Sequence, residues 1–333
     1  MKYQKLQQTL TQNSERINAV FAAHQVESQV LFGNAQGQTL RFALCLSPKQ
    51  KIRDVTNLRD ELALALNAPA VQFSREQGQL TLDIPNPDRK QVLVHDVLKN
   101  ADPLPNATAC LGEMLDGRPL LLRLENPNSA HVLIAGATGS GKSELLRSML
   151  WSLATRNRQA QLQLALMDPK QRGLLPFANA HCLCSPIAST QNDIENLLEK
   201  LVALMEKRDL LQEHLPRIVV AVDELAEVIH LCGERALLAL TRLAQRGRQA
   251  GIHLILAAQQ PSSALLGSAL KANLPVRLVG KVNSAEDARM ASGIGGTDAE
   301  FLHGQGDFVA INAGRQTRFQ AAVVTLQEWN HFG

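Results

Sequence analysis

The sequence predicts an α/β chain: a parallel sheet covered by helices, preceded by a small α+β domain. Three observations carry that prediction. From about residue 120, apolar strand-like runs alternate with helical segments, the pattern of a parallel sheet buried on both faces. Before residue 120 the hydrophobic period switches between helical spacing and strict alternation, with turn residues at short intervals. A glycine-rich loop, GATGSGKS at 136–143, lies between an apolar run and an amphipathic segment. The length of 333 residues suits two domains better than one, and an apolar fraction of 45% supports a sizeable core.

Residues 3–24 place Leu6, Leu10, Ile17, Val20 and Phe21 at helical spacing. The period then shortens. In TLRFALCL (39–46), Leu40, Phe42, Leu44 and Leu46 alternate, and AQGQ (35–38) joins this strand to QVLF (29–32) in an expected hairpin. Helical spacing returns over 52–67. VQFS (71–74) and QLTLDIP (79–85) predict a second hairpin, NPD (86–88) is turn chemistry, and another strand pair straddles DGR (116–118). The later strands are HVLIAG (131–136), LQLALMD (162–168), RIVVAVDE (217–224), HLILAAQQ (253–260) and VRLVGKV (276–282). At the helix expected over 190–213, Ser189, Thr190 and Asp193 supply capping and early negative charge. The expected division is a small α+β domain over 1–120 and a larger domain over 121–333.

A net charge of +3 is too small to mark a nucleic-acid binder by itself, so any basic surface has to be local. The five cysteines include no CxxC, and Cys182 and Cys184 have no second pair at zinc spacing. They read as buried or idle thiols in a reducing cytoplasm. The polar N-terminus has no signal-peptide core, and no stretch approaches the ~18 apolar residues of a membrane span. The expectation is a soluble, cytoplasmic protein.

Gly136, Gly141, Lys142 and Ser143 match the phosphate-loop pattern G-x-x-x-x-G-K-[ST], after a strand and before a helix. Glycines let the backbone curl so that successive N–H groups point at phosphate oxygens, and the helix N-terminus adds partial positive charge. The whole run Gly136, Ala137, Thr138, Gly139, Ser140, Gly141, Lys142, Ser143 and Glu144 is expected to hold the nucleotide. Lys142 can reach the β- and γ-phosphates, and Ser143 presents a hydroxyl to Mg²⁺. At the end of VVAVDE, Asp223 would hold Mg²⁺ with Ser143, and Glu224 would accept a proton from the attacking water. The other use of a strand-end Asp is to cap the next helix. Gln259 could sense the γ-phosphate or hold the water. Together these features predict an ATPase, using ATP and Mg²⁺, with an additional strand between the phosphate-loop strand and the Asp-Glu strand.

HVLIAGATGSGKSELLRSML, MDPK (167–170), RIVVAVDELAEVI, LAQRGRQAGIHLILAAQQPS (243–262), LKANLPVRL (270–278) and GIGGTDAEFLHGQGDF (293–308) together resemble the motor domain of the FtsK/SpoIIIE double-stranded DNA translocases. Upstream, IRDVTNLRDELALALNAPAVQF, residues 79–98 and CLGEMLDGRPLLLRL (110–124) are similar to the small domain before that motor. The likeness spans residues 28–326 and leaves the first twenty-seven residues as an extra packing helix or a recruiting segment. It implies a RecA-like P-loop motor domain, a ring with a hexamer as the expected form, ATP at subunit interfaces and duplex DNA through the central hole. It also implies a trans-acting arginine: Arg248 first, with Arg277 and Arg289 as alternatives. Lys271 matches a family lysine facing the pore, and Lys281 is a second DNA-binding candidate. Gln260 and Ala285 stand where the family commonly carries Arg and Lys, so two expected DNA contacts are missing.

The leading expectation is therefore ATP-driven translocation of duplex DNA by a ring of this chain. A polypeptide-exporting or remodelling ATPase is the first alternative, and a non-catalytic nucleotide-dependent scaffold the second. With no membrane region and no winged-helix domain in the sequence, the expected setting is a plasmid, phage or other mobile element.

Overall fold

A computed structural model describes residues 2–36, 39–76, 78–88, 90–101, 103–259 and 263–332. By contact it separates into two compact units. The first holds the residues up to Lys90 with Leu115–Gly117 and Phe301–His303, and the second holds the remainder.

The first unit contains α1 (Lys2–Ala23), β1 (Ser28–Gln36), β2 (Thr39–Leu46), α2 (Ile52–Thr56), α3 (Arg59–Ala65), β3 (Gln72–Glu76) and β4 (Gln79–Pro85). Its antiparallel sheet runs β1-β2-β4-β3. Both expected hairpins form, although Gly37, Gln38 and Gln77 of their turns lie outside the described residues. The helical face of α1 carries Leu10, Ile17 and Phe21 into one core with Phe42 and Leu82. The helix expected over 52–67 is two helices. A turn at Asn57–Leu58 re-aims the chain so that Val55, Leu58, Leu62 and Leu66 all reach that core. Arg41 and Asp83, cross-strand neighbours on β2 and β4, form a buried two-pronged ion pair at 2.7 and 2.9 Å.

The second unit contains α4 (Val94–Lys99), β5 (Thr108–Met114), β6 (Pro119–Arg123), β7 (His131–Ala135), α5 (Lys142–Arg156), β8 (Leu162–Met167), α6 (Gln191–Leu211), β9 (Arg217–Val222), α7 (Leu225–Arg246), β10 (Ile252–Ala258), α8 (Ser263–Ala272), β11 (Val276–Gly280), α9 (Ala285–Ser292), β12 (Asp307–Asn312), β13 (Arg315–Ala321) and α10 (Leu326–Trp329). Its nine-stranded sheet runs β6-β5-β13-β12-β11-β7-β10-β9-β8. The strands from β11 to β8 are parallel, as expected, and those from β12 to β6 are antiparallel. Strand β10 lies between β7 and β9, which is the predicted additional strand.

The contact division falls at Lys90/Gln91, earlier than the boundary at residue 120 read from the sequence. The physical reason is that β5 pairs with β13, Gly112 opposite Ala321, so the 108–123 hairpin extends the large sheet. On β7, Val132 and Ile134 pack with Leu145 and Met149 of α5, while Leu133 packs with Ile194 of α6 and Val228 of α7. A sheet apolar on both faces is thereby covered on both faces. The capping predicted for α6 forms as a reciprocal box between Thr190 and Asp193. No helix among the described residues is long and apolar enough to cross a membrane.

Candidate nucleotide site

The site sits where β7, β9 and β10 end. The loop 136–141 leaves β7 and delivers the chain into α5, which starts at Lys142. Gly141 is left-handed (φ 99), and a Cβ there would lie 2.7 Å from the Gly306 backbone nitrogen, so glycine is required on both counts. The loop is laced to its surroundings through the backbone. Ala137 N–H donates to the Lys281 carbonyl (2.7 Å), Gln305 N–H to Gly139 (3.0 Å) and Gly306 N–H to Ser140 (2.8 Å). The glycine-rich segment noted in the sequence thus braces the phosphate loop.

A cavity of about 340 Å³ opens in front of this loop. Thr138, Gly139, Gly141, Lys142, Ser143 and Glu144 form one side. Asp223 and Glu224, just beyond β9, and Gln259, just beyond β10, face them. Gly136, Ala137 and Ser140 complete the loop from behind: Lys142 Nζ donates to the Gly136 and Ala137 carbonyls at 2.7 and 3.3 Å. Burial pushes the Lys142 ammonium below its ordinary pKa, and Glu224 and Asp223 pull it back. Burial holds the Asp223 carboxyl above the usual carboxylate range, with Asp168 adding to the rise. A hydrogen bond from Ser143 and the charges of Arg147 and Lys142 oppose it. Glu224 stands at the N-cap of α7, yet its side chain makes no capping bond. Asp223 Oδ1 and Glu224 Oε1 are buried with no hydrogen-bond partner. Two orphaned carboxylate oxygens beside a serine hydroxyl fit a hard divalent cation that keeps part of its water shell. Thr138 Oγ1 donates to Gln259 Oε1 at 3.5 Å, tying the end of β10 to the loop tip.

The loop after β8 supplies residues that the sequence reading did not assign. Asp168 is 1% exposed, and its Oδ2 accepts the Arg172 and Leu174 N–H groups at 2.9 and 2.8 Å. That turn brings Gly173 so close to Asp223 that a Cβ would meet Oδ2 at 2.0 Å. It also puts Lys170 in the cavity wall, 3.0 Å from Glu227. Arg147 lines the cavity, pairs with Glu144 and donates to the Gly173 carbonyl at 3.4 Å. Arg147 lies one helical turn after Ser143, a spacing that could have revealed it. Lys170 is visible only within MDPK, and nothing local marks Gly173.

The remaining candidates lie elsewhere. Arg248, just after α7, and Arg289, on α9, are exposed and do not line the cavity. Arg277 is committed within its own chain, donating to the Lys271 and Ala291 carbonyls at 3.1 and 3.4 Å. That weakens its candidacy as a trans arginine. Lys271 is half-buried in the last turn of α8, where burial and then Arg277 lower its pKa. Lys281 and Ala285 are exposed, and Gln260 lies outside the described residues.

Loop, sheet order and strand-end carboxylates define the P-loop nucleotide-binding class of motor domains. Residues 71–214 and 209–263 match the FtsK/SpoIIIE family model, and residues 1–86 match the FtsK alpha domain. The chain belongs to the FtsK/SpoIIIE family. The alpha-domain match starts at residue 1, so the first twenty-seven residues belong to the likeness after all. The DNA translocase FtsK of Bacillus cereus is 30% identical over 98% of this chain and 46% of its own length. That of Corynebacterium glutamicum is 31% identical over 94% and 38%. The chain thus spans less than half the length of these curated relatives. Among solved structures, the pCW3 conjugation coupling protein TcpA with ATPγS superposes with a TM-score of 0.66 at 20% identity, over 96% of this chain and 98% of that one. The cytoplasmic domain of the Thermomonospora curvata Type VII secretion ATPase EccC gives 0.62 at 24%, over 71% and 32%. These two likenesses carry the fold.

Proposed function

We propose that this chain is an ATP-driven motor that translocates duplex DNA in the cytoplasm, working as a ring, with a hexamer as the expected form. The observation that carries the reading is the convergence of Lys142, Ser143, Asp223 and Glu224 on one cavity in a chain that matches both the motor and the alpha domain of FtsK/SpoIIIE proteins. Lys142 exchanges the Gly136 and Ala137 carbonyls for phosphate oxygens. Ser143 and Asp223 hold Mg²⁺. Glu224 Oε1 takes a proton from water, and Gln259 senses the loop through Thr138. Bound Mg²⁺ supplies charge neutralisation on the β- and γ-phosphates.

Arg248, exposed and outside its own chain's cavity, is the arginine that a neighbouring subunit would receive. Lys271 and Lys281 contact DNA phosphates without reading sequence. The bond from Ala137 N–H to the Lys281 carbonyl supplies a direct link from phosphate loop to DNA contact. The smaller α+β unit serves as a collar and the larger unit as the motor.

The test is steady-state ATP hydrolysis by wild type and Glu224→Gln, with and without linear duplex DNA, at two salt concentrations. Stimulation by duplex that fades with salt and disappears in the variant is the expected result. Turnover indifferent to DNA sinks the DNA reading and points to a polypeptide substrate.

A further inference from the structure

A phosphate loop has to present its N–H groups to an anion, so its carbonyls must find donors elsewhere. At the tip of this loop both donors come from one turn, 304–306, which leads into β12. Gln305 N–H donates to the Gly139 carbonyl (3.0 Å) and Gly306 N–H to the Ser140 carbonyl (2.8 Å). In a trans peptide the C=O and the N–H of one plane point in opposite directions. Holding the Ser140 carbonyl therefore also fixes the N–H of Gly141, a residue of the cavity wall.

That turn does not hold itself. Gly304, Gln305 and Gly306 all have positive φ (76, 52 and 93), a run that turns successive N–H groups toward one side. Gln305 carries a side chain, and such a residue keeps a left-handed backbone only where its surroundings impose it. Here β13 imposes it. Ala321 N–H donates to the Gly306 carbonyl (2.7 Å) and Gln320 Nε2 to the Gln305 carbonyl (2.9 Å). Arg318 grips Asp307 with a two-pronged fork, Nε donating to Oδ1 at 2.9 Å and Nη2 to Oδ2 at 2.8 Å. The two side chains are 8% and 7% exposed, and neither lines the nucleotide cavity. A buried ion pair adds little net stability, since desolvation offsets the attraction. What the planar fork supplies is a fixed position for Asp307 at the end of the turn.

We propose that Arg318 and Asp307 are positioning residues for the nucleotide: their ion pair fixes the 304–306 turn, and the turn fixes the peptide planes at the tip of the phosphate loop. The order of contact is Arg318 to Asp307, along the chain to Gly306, across to the Ser140 carbonyl, and through that peptide plane to the Gly141 N–H. Without the pair the turn relaxes toward ordinary backbone and the Gly141 N–H loses its aim. Asp223 and Glu224, held beyond β9, keep their places. The proposal rests on the nucleotide reading above.

Three measurements on the full chain test it together: calorimetric affinity for ADP with Mg²⁺, kcat and KM of ATP hydrolysis, and the melting temperature. Arg318→Met should weaken ADP about tenfold, the lower end of what losing an outer, orienting partner costs at metal sites. KM for ATP should rise by about as much, with kcat within about threefold of wild type. Because that variant strands a buried Asp307, the double variant Asp307→Asn/Arg318→Met, which leaves no charge buried alone, decides the matter if the single one fails to fold. It should melt near wild type and show the same weakened binding. His131→Ala, at the far end of β7, should lower the melting temperature without moving KM. Wild-type ADP affinity and KM in the double variant overturn the proposal, whatever its melting temperature. A fall in kcat with KM unchanged overturns it too. Failure of wild type to bind ADP defeats the nucleotide reading itself, and the positioning role with it.

Discussion

Strands β7 and β10 each carry polar groups at both ends, and the two ends behave in opposite ways. At their starts, His131 and His253 are buried with ring centroids 6.4 Å apart. His131 Nδ1 accepts the Leu254 N–H at 3.1 Å, and His253 Nδ1 lies 3.1 Å from the Ala130 carbonyl. Burial, then His253 and Arg248, push His131 down to about 3. Burial pushes His253 down to about 4, assisted by Arg217 and opposed by the Ala130 bond and Glu125. Both rings are neutral wedges that tie neighbouring strands together. At the other ends of the sheet, charges of both signs meet and two carboxylate oxygens lack partners. The rings are not fully satisfied either, since His131 Nε2 and His253 Nε2 are buried without a hydrogen-bond partner. What separates the two ends is that the open groups beyond β9 are carboxylates lining a cavity, whereas the rings are apolar-walled and neutral.

The contrast can be broken in four places. The largest effect belongs to Glu224→Gln, which should lower ATP turnover roughly 10²–10⁴-fold while the melting temperature stays near wild type. Phosphate release and thermal unfolding, read side by side, check this. Next comes Gly173→Ala. Its methyl group would meet Asp223 Oδ2 at 2.0 Å, so Mg²⁺-dependent nucleotide affinity should fall about tenfold or more, about 1.4 kcal/mol. An affinity equal to wild type would show that the 168–174 turn gives way without disturbing Asp223.

At the histidine end the effect should fall on stability. His131→Ala leaves the Leu254 N–H without its acceptor and should destabilise by about 1–3 kcal/mol, with nucleotide affinity unchanged. The same pair sets a pH dependence. Folded-state values of about 3 and about 4 lie below the unfolded imidazole value of about 6.5, so the unfolded chain binds more protons at acid pH. The stability from the neutral rings is complete above about pH 6.5 and is lost as pH falls through about 4 toward about 3. Denaturant midpoints across that range should slope less steeply in His131→Ala. The smallest effect is expected at Lys170→Met. Its ion pair with Glu227 is 49% and 39% exposed, so stability should change by less than about 1 kcal/mol. A clear loss of nucleotide affinity there would show that the Lys170 side chain works on the ligand as well as on Glu227.

Much of this was legible along the chain, because it depends on neighbours in sequence. The phosphate loop works through successive backbone N–H groups, and its Gly-Lys-Ser spacing survives in any sequence that makes it. Asp223 and Glu224 stand out because they end a buried strand. The alternation of Leu40, Phe42 and Leu44 foretold β2 because a strand's faces repeat every two residues. The capping of α6 was equally local, with three residues separating Thr190 from Asp193.

What the sequence determined by itself is thus the set of elements and the chemical groups at their ends. Only the tertiary structure decided how distant segments meet. The pairing of β5 with β13 moved residues 108–123 into the large sheet. The packing of Gly306 against Gly141, the approach of Gly173 to Asp223 and the commitment of Arg277 to the Lys271 carbonyl all join residues that are far apart or in different elements. Such contacts depend on strand order and side-chain packing across the whole domain, and periodicity within a short window carries no record of them.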